Sequence, residues 1–173
     1  MLETISILIN AVLVLAIIFV IYAYLLPPLI GAPFVPTKRS RVSTMIALAK
    51  IRAGERACDL GSGDGRIVIA LAQAGAEAHG YEINPMLVLH SRLLIRRHGL
   101  SGRAHIHWKS FLKLDCSGFD VVTIYGLPGI MKRLEEKLRR ELPEGGRVIS
   151  HAFRFPNWPA EEQEDKVYVY RRS

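Results

Sequence analysis

This sequence predicts an α/β fold: a doubly wound, mainly parallel sheet preceded by one apolar helix. Three observations predict it. Short apolar runs alternate with helical stretches from Arg56 to Arg171. A glycine-rich turn, Gly61-Ser62-Gly63-Asp64-Gly65, joins the first of those runs to the first of those helices. Residues 5–26 carry no charge at all.

The N-terminal stretch reads ISILINAVLVLAIIFVIYAYLL, and 15 of its 22 residues are Ile, Leu, Val or Phe. As a helix it would be roughly 33 Å long, enough for a hydrocarbon core of about 30 Å. Ser6 and Asn10 are easily outweighed, and Tyr22 and Tyr24 near one end suit the headgroup level. A cleaved signal peptide would want a basic leader and a small-residue cleavage site, yet only Glu3 precedes the run and PPLIGAPF follows it. A buried core helix rarely stays apolar on every face for so long. The segment is therefore expected to be a single-pass membrane anchor. Lys38, Arg39 and Arg41 follow it and no basic side chain precedes it, which puts the N-terminus outside and the domain on the cytoplasmic side. Pro27, Pro28, Pro33 and Pro36 mark a stiff, irregular exit. The division expected is anchor and exit over 1–36 and one globular domain over 37–173.

Within that domain lie all 23 Lys and Arg and 15 of the 16 Asp and Glu. The basic surplus bears on partners, suiting an anionic lipid surface or a nucleic acid, and says nothing of fold. Cys58 and Cys116 have no CxxC or Cys/His spacing, so neither a disulfide framework nor a zinc site is expected. His105 and His107 share a strand face but lack a third ligand, and no metal is expected there either.

Element by element, the spacing of Val42, Met45, Ile46 and Ala49 predicts an amphipathic helix that ends before Gly54. Strands follow at 56–60, 76–82, 104–108, 120–125, 147–153 and 166–171, with helices at 66–73, 85–98 and 130–142. Right-handed crossovers bring the strand ends and their loops to one edge, where ligands bind.

The chemistry concentrates in Asp59-x-Gly61-x-Gly63-x-Gly65. Gly61 and Gly63 allow a sharp turn and a close backbone approach to a ligand. Amides at the helix start could meet a carboxylate or phosphate. The dinucleotide pattern GxGxxG is excluded, because it needs its third glycine one position beyond Gly65. Glu82 ends the next strand, 21 residues past Gly61, where a carboxylate accepts both hydroxyls of a ribose.

These residues resemble motif I and the acidic loop after it in the seven-strand methyltransferases, a Rossmann-like fold. By that resemblance Asp59 and the turn Gly61, Ser62, Gly63 and Gly65 hold the amino-acid end of S-adenosylmethionine, and Glu82 holds its ribose. The combination of PFVPT (33–37), DLGSGDGRIVIALA, Tyr81-Glu82-Ile83-Asn84-Pro85, Tyr125-Gly126-Leu127-Pro128 and FRFPNW (153–158) is more specific. It is similar to the membrane-anchored protein-lysine methyltransferases that modify the ATP synthase c-subunit and the adenine nucleotide translocase, over nearly the whole chain. Two departures stand out. Where such enzymes often carry an acid facing the adenine amino group, this chain has Ser110 and Phe111; Ser110 can hydrogen-bond and Phe111 can pack on the ring. The strands also number six, so the antiparallel seventh strand is expected to be missing, leaving an edge for a partner or second copy.

Methyl transfer from a sulfonium is an in-line displacement, so alignment is the main task. A lysine nucleophile must be neutral, which costs roughly 4 kcal/mol at pH 7.4. A desolvated, aromatic-walled slot would supply part of that. Tyr125 and Pro128 lie at the end of the fourth strand, on the ligand-bearing edge. The resemblance gives Pro33, Phe34, Pro36 and Thr37 a catalytic part; the alternative is that all six are packing and turn residues. Basic clusters at Arg92/Arg96/Arg97 and Lys132/Arg133/Lys137/Arg139/Arg140 are solvated helix faces or rest against anionic lipid. The leading expectation is lysine methylation in a membrane or membrane-proximal protein. The alternatives are methylation of a lipophilic small molecule, such as a quinone or lipid precursor, and cofactor binding without turnover. Nucleic acid is not expected as substrate, since no Asn/Asp-Pro-Pro-Tyr/Phe tetrapeptide follows the fourth strand.

Overall fold

A computed structural model describes residues 2–21 and 35–173. By its internal contacts the chain divides into two units, Met1–Phe34 and Val35–Ser173. In the first, α1 (Leu2–Val20) is 19 residues long and ends without a basic residue in its last turn. Its stretch Glu3–Val20 is long and apolar enough to cross a membrane by length and composition. Tyr22, Tyr24, Pro27, Pro28, Pro33 and Phe34 lie outside the described residues.

The second unit is built on a seven-stranded sheet of order β3-β2-β1-β4-β5-β7-β6. Its strands are β1 (Arg56–Leu60), β2 (Glu77–Glu82), β3 (Ala104–Trp108), β4 (Val121–Ile124), β5 (Arg147–His151), β6 (Glu162–Glu164) and β7 (Val167–Arg171). The helices are α2 (Arg39–Ala49), α3 (Arg66–Gln73), α4 (Pro85–Arg97) and α5 (Pro128–Glu141). β1 to β5 are mutually parallel, and β7 runs antiparallel to β5.

The central strands β1, β4 and β5 alternate between two cores, which is why they are buried on both faces. Ala57, Val121 and Ile149 face Met45, Leu71, Val88 and Ile95, on the side of α2, α3 and α4. Cys58, Val122 and Val148 face Met131, Leu134 and Leu138 of α5 on the other side. Cys58 and Cys116 are free thiols within that second core. FRFPNW belongs to it as well. Phe155 and Trp158 pack on Tyr170, whose hydroxyl accepts from the Phe155 amide at 3.1 Å. Buried Glu135 accepts from the Asn157 amide at 2.9 Å. This motif supports the sheet under β7.

The sheet corrects one expectation. The seventh strand is present: the strand near 166–171 is β7, and β6 pairs with it as a hairpin. β6 is three exposed residues, Glu162-Gln163-Glu164, with no apolar side chain to give a period-2 signal. The turn between them, Asp165-Lys166, is left-handed at both positions (φ 52 and 62) without any glycine. The edge beside β7 is therefore already filled by the chain itself.

Candidate active site

The chain runs outward from β1 through β2 to β3, then returns to β4 and β5 on the other side of β1. The boundary between β1 and β4 is thus the switch point at which open α/β sheets bind ligands. Asp59 and Thr123 face each other across it in register. The Thr123 hydroxyl donates to the Asp59 carboxyl at 2.7 Å, with both residues buried. Burial chiefly pushes the Asp59 carboxyl up to about 7; the Thr123 bond opposes the rise, while the Glu82 and Asp64 charges add to it.

The glycine turn is shaped by its own hydrogen bonds. Gly61 and Ser62 amides both donate to the Tyr81 carbonyl at 3.0 Å, and the Gly65 amide donates to the Ser62 carbonyl at 2.9 Å. The Gly63 amide donates to Glu82 at 2.9 Å. These amides are engaged by β2 and by the loop itself, so what the turn presents is a low glycine surface. Gly61, Gly63 and Gly65 all have left-handed φ, and a Cβ on Gly61 would reach to 3.8 Å from the Phe111 ring. Phe111 therefore stands beside the turn, on the 3-10 segment Phe111–Lys113 that Ser110 caps by accepting from the Leu112 amide. Two of the expected ligand residues also have a packing task. A Cβ on Gly65 would stand 2.7 Å from that of Ser91, so this glycine lets α3 meet α4. Ser62 lies against Gly80 in β2, and its buried hydroxyl has no hydrogen-bond partner.

Glu82 is buried at the end of β2 and braces the site. Besides the Gly63 amide it accepts from the Ile83 and Asn84 amides, both at 2.7 Å. One carboxylate thus ties the glycine turn to the loop that starts α4.

Arg66 joins the turn to Thr37, a link not expected from the sequence. Its guanidinium grips Asp64 with two nitrogens and donates to the Thr37 carbonyl at 2.5 Å. Thr37 is buried, whereas Val35 and Pro36 are exposed. The signal in the sequence was a guanidinium immediately after the last glycine, preceded by an acid at i−2.

Along the same edge, Tyr125 follows β4 with His151 at the end of β5. Their rings lie 4.4 Å apart, and Phe153 stacks near Tyr125 at 6.4 Å and 23°. A tight turn makes this cluster: the Phe153 amide donates to the His151 carbonyl at 3.0 Å, with Ala152 left-handed at φ 69. The Ser150 hydroxyl fixes the Phe153 carbonyl at 2.6 Å. Such strain on a non-glycine residue clusters at functional sites. Burial, with a contribution from Arg41, lowers the His151 pKa, and its Nδ1 is buried without a partner. His151 falls outside the sequence motifs, and Phe153 entered only as the first residue of FRFPNW; the position of both at a strand end on the ligand edge was the signal. Pro128 is exposed at the first turn of α5 and stands outside this ring cluster.

Sheet order, the antiparallel seventh strand and a glycine turn at the switch point together define a class I methyltransferase fold. The profile described as the ANTKMT methyltransferase domain matches residues 59–162, and the chain belongs to that family. The chain is similar to the human lysine N-methyltransferase of the ATP synthase c-subunit, 41% identical over 145 residues, covering 82% of this chain and 62% of that protein. The mouse adenine nucleotide translocase lysine N-methyltransferase is 36% identical over 165 residues, covering 88% of this chain and 72% of its own length. Among solved structures, an RNA methyltransferase from Salinibacter ruber in complex with S-adenosyl-L-homocysteine superposes with a TM-score of 0.74 at 34% identity. That match covers 80% of this chain and 92% of the other.

Proposed function

We propose that this chain is an S-adenosylmethionine-dependent methyltransferase that N-methylates lysine in a membrane or membrane-proximal protein. The observation that carries it is the alignment of Asp59, Glu82, Tyr125 and His151 at the ends of four adjacent parallel strands, β1, β2, β4 and β5. Cofactor residues and an aromatic acceptor slot thereby share one edge. Residues 37–173 form the catalytic domain in this reading, and α1 the single-pass anchor, with the domain on the cytoplasmic side of Lys38, Arg39 and Arg41.

The residues present fit the cofactor. Asp59 is a buried carboxyl without a cationic partner, and an ammonium would relieve the cost of its ionisation. Glu82 accepts three amides and keeps lone-pair capacity for a ribose hydroxyl. Gly61 leaves open the space next to Phe111, where a flat base can pack. When bound, the cofactor supplies an electrophilic methyl group on a sulfonium. The chain's part is to orient and desolvate a lysine amine. Tyr125, His151 and Phe153 wall the slot, and an uncharged His151 adds no positive charge to it. The Arg66–Thr37 link holds Thr37, the last residue of PFVPT, at the same loop.

Incubating membranes from a deletion strain with the full chain and methyl-tritiated cofactor tests this reading. Label is expected in protein bands, in acid-stable methyl-lysine. Label that extracts entirely into organic solvent would favour a lipophilic small molecule. Recovery of label only in nucleic acid would favour the chemistry named for the Salinibacter neighbour. Intact cofactor binding with no label in any fraction would leave a non-catalytic binding protein.

A further inference from the structure

The β3 edge of the sheet carries a feature that methyl transfer does not use. From residue 83 to residue 114 the chain has six Lys and Arg and no Asp or Glu. This stretch comprises α4, the edge strand β3 and the Ser110-capped turn. Among the described residues, no ion pair involves Arg92, Arg96, Arg97, Arg103, Lys109 or Lys113. Arg92 is spent on the Ile106 carbonyl, which it reaches with two nitrogens at 3.1 and 2.8 Å. Arg96, Arg97 and Lys109 are exposed.

Apolar side chains surface in the same place. Beyond Val35, five large hydrophobic residues are exposed, and four of them fall in this acid-free stretch: Leu89 (55%), Leu93 (45%), Trp108 (57%) and Leu112 (43%). Leu89 and Leu93 are one helical turn apart on the α4 face opposite its buried residues Val88, Ser91 and Ile95. The Trp108 indole N–H donates to the Ile83 carbonyl at 2.9 Å, which pins the ring beside the start of α4.

We infer that this edge is a peripheral docking surface for an anionic lipid bilayer. Leucines at i and i+4, a surface tryptophan and unpaired basic side chains are the combination that enters the boundary between headgroups and acyl chains. The charge complements anionic headgroups. A nucleic acid would use the arginines and lysine but gain nothing from Leu89 and Leu93, so the observations favour lipid. The inference stands apart from the catalytic reading and survives if that reading fails.

The test uses the full chain in vesicles, either neutral phosphatidylcholine or the same lipid with about 30% phosphatidylglycerol. Acyl chains carry bromine, which quenches a tryptophan that reaches them. Sedimentation would not serve, because α1 alone would retain the chain. Trp158, the other tryptophan, is 8% exposed and serves as the unquenched reference. Quenching is expected in the anionic vesicles, at least twofold weaker in neutral ones, and lost in Trp108→Phe. The double variant Leu89→Glu/Leu93→Glu should reduce it severalfold. Arg96→Glu/Arg97→Glu should weaken it on the order of fivefold per residue in anionic vesicles alone. Leu89, Leu93, Arg96 and Arg97 are exposed and make no tertiary ion pair among the described residues, so the melting temperatures of their variants should hold, as a check on folding. Equal quenching in wild type and the Leu89/Leu93 variant overturns the proposal, as does equal quenching in Trp108→Phe. Absence of quenching together with Arg96/Arg97-dependent binding of a labelled RNA oligonucleotide also overturns it, in favour of a nucleic-acid surface.

Discussion

The Thr123 hydroxyl holds the Asp59 carboxyl across the β1–β4 boundary at 2.7 Å, inside a site where burial raises that carboxyl to about 7. In the unfolded chain an aspartate titrates near 4. Between the two values the folded state holds a proton that the unfolded state has released. Stability of the ligand-free protein therefore falls as pH rises from about 4 through about 7 and levels off above that. Asp59→Asn removes the penalty. Thermal melts should show the variant gaining on the order of 2–4 kcal/mol over wild type at pH 8, and little at pH 4. Cofactor binding should run the opposite way, since a cationic amino group needs the ionised carboxylate. Wild-type affinity is expected to be 10–100-fold weaker at pH 5 than at pH 8, and Asp59→Asn should lose that dependence together with most of its affinity. A pH-independent affinity in wild type would remove Asp59 from the cofactor site.

Glu82 has two tasks, and two substitutions separate them. Glu82→Ala strands the amides of Gly63, Ile83 and Asn84, so the fold should lose about 2–4 kcal/mol besides any ligand contact. Glu82→Gln keeps one carbonyl acceptor and the side-chain volume, and should cost about 1–2 kcal/mol. If Glu82 also holds the ribose, both variants bind cofactor at least tenfold more weakly by calorimetry at a temperature where each is folded. Unchanged affinity in folded Glu82→Gln would restrict Glu82 to its bracing task.

Arg66 couples the glycine turn to Thr37 through a planar fork, which lysine cannot reproduce. Arg66→Ala and Arg66→Lys should both lower kcat by roughly 10–100-fold, the range typical of misplaced catalytic segments. Cofactor affinity should fall less, because Arg66 touches the turn from the Asp64 side. Limited proteolysis near 35–38 should speed up in both variants. Full activity in Arg66→Lys would mean that charge alone, and not the fork, secures the segment.

Much of this was legible in the sequence, for physical reasons specific to each part. β4 was visible because both of its faces are buried, leaving the run Val121-Val122-Thr123-Ile124, and the edge strand β3 by its alternation of buried and half-buried residues. The glycine turn was visible because its left-handed backbone conformation restricts residue type at those positions. The same motif did not show that the Ser62 side chain lies against Gly80, or that the lack of a Cβ at Gly65 lets α3 approach Ser91. A linear pattern does not say which side of a turn a side chain occupies. His151 escaped notice because its ring meets that of Tyr125, 26 positions away, through a strained turn at Ala152. The β6–β7 hairpin escaped for want of both its usual signals.

That hairpin yields the last expectation. Turns with left-handed φ at both central residues normally carry Asn-Gly or Asp-Gly, since a Cβ there costs roughly 1–2 kcal/mol per residue. Here Asp165 and Lys166 adopt φ 52 and 62. Asp165 is tolerated because a short polar side chain suits this region, and it also pairs with Arg41 of α2. Lys166 has a long side chain that gains nothing from this region, and it is exposed. Its carbonyl, which accepts from Ala152 at 2.8 Å, would survive substitution. Lys166→Gly should therefore stabilise the fold by about 0.5–1 kcal/mol, the relief of strain exceeding the added freedom of glycine in the unfolded chain. Lys166→Val, β-branched at the same φ, should destabilise it by about 1–2 kcal/mol. Denaturant melts of the two variants give the comparison. A Lys166→Gly variant less stable than wild type would show that the turn is relaxed in solution, and that β6 is held to β7 by the ladder alone.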